Sequence, residues 1–217
     1  MAPLSRTFYE RRTLDVAADL LGKVLVHARR GVPTSGIIVE VEAYVGESDP
    51  ACHAASGLTA RNAPLYGDPG HAYVYLNYGI HCLFNVVTEA TGHPAAVLVR
   101  ALEPVEGIST MRRRRARPTK GRRRRPSQLP MPVHDLCRGP GNAAMAMGIT
   151  LAENRVDLLS ERLFIEDRGI RVEQVAWGPR IGIRLGTDSP WRAWIAGHPG
   201  VSGNGAILAT SARVRQT

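Results

Sequence analysis

The stretch from Gly36 to Asn85 constrains the fold most, because it holds two segments of alternating polarity on either side of a long loop. In the first, GIIVEVEAYV, Val39, Val41, Ala43 and Val45 fall on one side of a period-2 strand, and Ile38, Glu40, Glu42 and Tyr44 on the other. The loop LTARNAPLYGDPG is punctuated by Gly and Pro. In the second segment, Ala72, Val74 and Leu76 alternate with His71, Tyr73, Tyr75 and Asn77. Beyond Tyr78-Gly79, Leu83, Asn85 and Val87 share one side. A solvated strand would carry Lys, Thr and Ser at its polar positions. These strands carry carboxylate, phenol, imidazole and amide, the polar groups of a pocket.

The rest of the chain supplies a frame for this pair. Thr13–Gly22 predicts a short helix capped by Thr13, striped by Leu14, Ala17, Ala18 and Leu21, and stopped by Gly22. Lys23–His27 predicts a strand, Asn77-Tyr78-Gly79 a hairpin tip, and Ala95–Leu102 a strand with Leu98 and Arg100 on one face. Leu136–Gly148 predicts a helix started by Pro140. Its Gly-rich beginning suits an oxyanion, or simply an ordinary cap. Leu163–Glu166, Arg171–Trp177, Arg180–Ile183 and Trp191–Ile195 read as short strands. The expected fold is mixed α/β (α+β), a single domain over residues 1–217. It has a curved, largely antiparallel sheet, a protruding hairpin and flanking helices.

Composition narrows the function. Of the formal charge of +9, ten positive charges lie in Arg112–Arg125 (RRRRARPTKGRRRR), so the remainder carries −1. That tract predicts a disordered basic loop over 112–130, read either as a phosphate-binding arm or as a solvated run in an arginine-biased chain. Three widely spaced cysteines, Cys52, Cys82 and Cys137, cannot supply a four-thiolate zinc or iron–sulfur site. No run of 18 apolar residues offers a membrane span, and MAPLSRTFYERR lacks the apolar core of a signal peptide. A cytoplasmic, monomeric protein with no cofactor, no metal and no membrane partner is expected.

Several spaced motifs occur together: EVEAYxGxxDxAxH at Glu40–His53, YVYxxYGxxxxxN at Tyr73–Asn85, LVRALEPxEG at Leu98–Gly107 and RGPG at Arg138–Gly141. A looser PRIGI…SPWR…IxGxPxVS runs from Pro179 to Ser202. In this order, over nearly the whole chain, they resemble the alkyladenine (3-methyladenine) DNA glycosylase family, the mammalian-type group also found in bacteria.

The resemblance implies a monofunctional glycosylase of base excision repair acting on double-stranded DNA that contains damaged purines. Its substrates would be of the 3-methyladenine, 7-methylguanine, hypoxanthine and ethenoadenine class. The bond to deoxyribose is unreachable inside a duplex, so the nucleotide must be rotated out. The pattern assigns Tyr78, supported by Ile80, to the gap left behind. It assigns Tyr44, His53 and Tyr75, with Ala51, Asn85 and Leu98, to the base pocket. Electron-rich rings would favour a cationic alkylated purine, and the Asn85 amide would disfavour the amino group of guanine. Arg138, Gly139 and Gly141 would meet the DNA backbone. Glu42 would activate water and Arg100 would orient it. From the residues alone, Glu40 lies on the same face as Glu42, and Glu42–Arg100 could be a plain ion pair. The family pattern chooses Glu42. A strand-nicking glycosylase generally uses an amine. Lys23 and Lys120, the only lysines, lie outside the motifs. The competing reading is a non-catalytic module for distorted DNA or structured RNA.

Overall fold

A computed structural model describes residues 2–28, 33–116 and 131–203. The chain begins with two helices, α1 (Arg6–Tyr9) and α2 (Thr13–Leu20). Thr13 is not the cap of α2: Arg12 holds that position, while the Thr13 hydroxyl bonds Thr88. The buried stripe is Thr13, Val16, Ala17 and Leu20, rotated from the one the sequence predicts. Gly22 then turns the chain at φ +82°, where an added Cβ would lie 2.8 Å from Val172.

The strands are β1 (Val24–His27), β2 (Thr34–Val45), β3 (Ala72–Asn77), β4 (His81–Val87), β5 (Ala95–Glu106), β6 (Leu163–Glu166), β7 (Val175–Gly178) and β8 (Arg192–Ile195). They form one antiparallel sheet in the order β3-β4-β5-β2-β1-β6. β2 also pairs with β8 over Glu40–Glu42, and β8 with β7. Together with the helices this is the mixed α/β class expected. The twelve-residue β2 is central: β5 flanks one edge, and β1 then β8 flank the other.

β3 and β4 keep the alternation read from sequence. Ala72, Val74, Phe84 and Val86 enter the main core, while Tyr73, Tyr75, Leu83 and Asn85 turn to the opposite face. β2 does not. Ile38 packs in the core with Val41 and Ala43, although a strict period of two would put it with Glu40. The reason is a double irregularity: the register runs Ile38↔Leu102, Glu40↔Ala101, Val41↔Val99. Val39 is thus the extra residue on β2 and Arg100 the extra residue on β5. Such bulges bend a strand and re-aim a side chain.

Helices α3 (Ile108–Arg115) and α4 (Pro140–Met147) cover the core face, which also buries Met111, Ala144 and Met147. Disorder is expected from Arg112 onward, but the first residues of that tract are helical. Arg112–Arg115 complete α3, and Arg114 donates to the Ala146 carbonyl near the end of α4. Residues 117–130, including Lys120, lie outside the described residues, as does the tail beyond 203. Of the expected strand Arg171–Trp177 only the end forms, as β7 from Val175, and the expected strand Arg180–Ile183 is absent, Pro179–Gly186 being a run of bends.

Leu102, fully buried, faces the core only because of the bulge. Leu102→Ala should cost about 2–5 kcal/mol, read as a lower denaturant midpoint at unchanged slope. A loss under about 1 kcal/mol would show that this packing is dispensable.

Candidate active site

On the face opposite the main core, β3, β4 and β5 form the floor of a cavity of about 500 Å³. Pro50–His53 forms one wall and Ile181–Leu185 another, with Pro140 at the start of α4 closing a corner. Tyr44, Ala51, His53, Tyr75, Tyr78, Asn85, Leu98 and Arg100 all line it. Residues far apart in the motifs thus meet at one place.

The aromatic residues are mutually braced. His53 Nδ1 lies 2.8 Å from the Tyr73 hydroxyl, and its ring centroid lies 4.5 Å from that of Tyr75. Partial burial, reinforced by Arg61, holds the His53 pKa below its ordinary value, so the ring is neutral near pH 7. Burial pushes the Tyr73 phenol up to about 12 and raises those of Tyr75 and Tyr44 further. Asn85 is buried and donates to the Tyr73 carbonyl, its partner across the hairpin, while still lining the cavity.

Beneath the floor lies a network of four charges. Glu40 and Glu42 are fully buried. Glu40 Oε1 accepts from Arg100 Nε (3.0 Å), Arg192 Nε (2.7 Å) and Ser202 Oγ (2.9 Å), and Oε2 from the Ser202 amide (2.7 Å). Glu42 Oε1 accepts from the Ile181 amide (2.6 Å) and lies 3.1 Å from Arg100 Nη1, while Oε2 accepts from Tyr44 (2.9 Å). Burial alone would lower the Arg100 pKa, but Glu42 and Glu40 together raise it. Glu42 is not on the pocket surface as the strand pattern suggests. It sits one layer behind Tyr44, Arg100 and Ile181, all three of which line the cavity.

The hairpin connecting β3 to β4 is three residues long, Asn77 pairing with His81. At its tip Tyr78 (83% exposed) and Ile80 (52%) project into solvent, with Tyr78 and Gly79 at positive φ. The cost of that backbone on a tyrosine is one that a folded-back ring would not require. His81, unexplained by sequence, packs on Gly141, where a Cβ would come within 3.0 Å of its ring. This fixes the hairpin base to α4. Gly139 starts that helix at φ +90°, and Arg138 donates to the Val201 carbonyl. Among the described residues, no group of three or more His, Cys, Asp or Glu side chains is arranged to hold a metal ion.

With this geometry in view, the comparisons with known proteins are direct. The family model for methylpurine-DNA glycosylases matches residues 7–199. A relative from Methanocella arvoryzae is 46% identical over 209 residues, covering 93% of this chain and 96% of its own. One from Burkholderia lata is 45% identical, covering 93% and 92%, and one from Bacillus cereus 44% identical, covering 90% and 97%. All three carry the provisional name 3-methyladenine DNA glycosylase. This chain belongs to the methylpurine-DNA glycosylase family. It is therefore a DNA glycosylase, a hydrolase of DNA repair, as its motifs suggest.

Sequence reasoning missed the clamp that shapes this glycosylase's cavity. The buried Arg180 guanidinium bonds both oxygens of Asp49 (2.6 and 2.8 Å) and the carbonyls of Ala43 and Gly186. It lies 4.8 Å from the Tyr44 ring centroid and 5.0 Å from that of Trp191. It thereby joins both cavity walls and presents the next amide, Ile181, to Glu42. The only hint was the PRIGI string, read as a strand.

Burial works against ionised Asp49, but the Arg180 hydrogen bonds and the Ala51 amide outweigh it, so its pKa is lowered. Its contribution to stability is therefore complete above the unfolded value near 4 and lost as pH falls through the lower folded value. Asp49→Asn should lose about 3–5 kcal/mol and should destabilise less steeply than the wild type below pH 4. Parallel pH–stability curves would show that Asp49 gains nothing from the pairing.

Proposed function

We propose that this glycosylase rotates a damaged purine nucleotide out of duplex DNA into the cavity and hydrolyses its N-glycosidic bond with water. The observation that carries the reading is one aromatic-lined cavity of about 500 Å³ backed directly by a buried carboxylate–arginine pair. An extruded base would stack against Tyr44, His53 and Tyr75, whose ring faces attract the cationic purines made by alkylation at N3 or N7. The Asn85 amide at the floor would disfavour the amino group of guanine.

Tyr78, at the exposed hairpin tip, would fill the vacated stack, with Ile80 beside it. Arg138, Gly139 and Gly141 would steady the DNA backbone from the start of α4.

In the chemical step, a water oxygen bonds to C1′ while the C1′–N bond breaks, its electron pair leaving with the base. The water proton passes to Glu42 and the sugar keeps the hydroxyl, giving an abasic site. A carboxylate offers about four acceptor sites, and Glu42 has three partners: Ile181, Arg100 and Tyr44. The remaining site, on Oε2 beside Tyr44, is where the water would bond. Arg100 keeps Glu42 aimed. Lys23 pairs with Asp167 at 2.6 Å and is not among the cavity residues, which favours water over an amine nucleophile.

Glu42→Gln should bind duplex containing hypoxanthine yet lose about a hundredfold or more in single-turnover excision, measured as alkali-labile breaks. Substantial residual turnover would place the base elsewhere, and wild-type binding without breaks would support a non-catalytic module. Tyr78→Ser should weaken lesion affinity about tenfold through lost stacking. Unchanged affinity would remove the wedge role.

A further inference from the structure

The loop before the 3₁₀ turn Ala63–Tyr66 is pinned to the pocket by a buried amide. Asn62, 2% exposed, donates through Nδ2 to the carbonyls of His53 and Gly57, both at 2.8 Å, and its Oδ1 accepts from the Thr59 amide at 2.6 Å. Its neighbour Arg61 therefore starts from a pinned backbone, and its exposed side chain reaches toward the cavity rim. The Arg61 guanidinium lies 5.9 Å from the centroid of the Tyr75 ring. No carboxylate pairs with it among the described residues. The two acids nearest the cavity are already matched, Glu42 by Arg100 and Asp49 by Arg180. The Arg61 charge reaches the base-gripping groups: it adds to burial in lowering the His53 pKa and opposes the rise at Tyr73 and Tyr75. Arg184 lines the cavity, but among the described residues it lies over no ring.

Two opposed influences therefore act on a base in this pocket. The ring faces favour a positive charge; a guanidinium beside one of those rings disfavours it. A neutral lesion feels only the stacking. Resting on the reading of this cavity as a purine-excision site, we propose that Arg61 is a specificity-determining residue that biases excision toward neutral damaged purines and away from cationic ones.

The test is the ratio of kcat/KM for 7-methylguanine, which is cationic, to that for hypoxanthine, which is neutral, in otherwise identical duplexes. Arg61→Gln, which removes charge at similar size, should raise the ratio about three- to tenfold. Arg61→Lys, which keeps the charge, should leave it near the wild-type value. An unchanged ratio in Arg61→Gln overturns the proposal. So does an equal fall for both lesions with a shallower salt dependence, which would make Arg61 a phosphate contact. A wild-type enzyme that excises 7-methylguanine and leaves hypoxanthine overturns it as well. Failure of the wild type on both lesions would instead sink the purine-excision reading.

Discussion

Two carboxylates two residues apart on one buried strand repel each other and lose their hydration, so the fold must bring cations to them. Glu40 and Glu42 impose that demand from the middle of β2. Arg100 arrives from β5 and Arg192 from β8, one on each flank of β2. Much else follows. β8 must pair with the centre of β2, and the chain must return through Val201 and Ser202 to reach the Glu40 oxygens. β5 must carry an extra residue where Arg100 turns. The catalytic floor is thus inseparable from the sheet topology.

The upper walls depend on a second pair in the same way. Arg180 and Asp49 sit on different loops, and each alone would leave an unmatched buried charge. Together they hold the wall that carries Ala51 and His53 against the one that carries Ile181–Leu185. Arg180 also backs the Tyr44 ring, whose hydroxyl reaches Glu42. The cavity is therefore shaped by polar contacts rather than by apolar packing. The small apolar cluster on this face, with Cys52, Ala54, Leu65 and Ala96, supports only its base.

These dependences explain what could be read from the chain. Tyr44, Tyr75, Asn85, Leu98 and Arg100 were legible because a strand repeats every two residues, so a polar face shows in a short window. His53 and Ala51 were legible through motif spacing. The bulge at Val39 was not, because an inserted residue leaves no mark except a broken period, and β2 is apolar enough at Ile38 and Val39 to hide it. Nor were the partners of Glu40 and Asp49. Ser202 lies 162 residues from Glu40 and Arg180 lies 131 from Asp49, and no local pattern encodes such a pairing. The expected strand at 180–183 failed for a related reason. Arg-Ile-Gly-Ile has strand-like alternation, but Arg180 is drawn inward to Asp49 and Gly182 takes φ +81°, which a strand does not accommodate.

On the proposed reading, the two glutamates also show how little separates a structural carboxylate from a reactive one. They share a strand, a face, an arginine and complete burial. Glu40 accepts from four donors, and its partners Arg192 and Ser202 lie outside the cavity lining. Glu42 accepts from three, and each of those residues also forms the cavity wall. In the proposed mechanism, the competence to take a proton from water then rests on which carboxylate the cavity wall backs onto. Sequence alone cannot rank the pair, because both satisfy the same period; the proposed ranking comes from their partners, since Ser202 and Arg192 hold Glu40 away from the cavity while Tyr44 and Ile181 hold Glu42 against its wall.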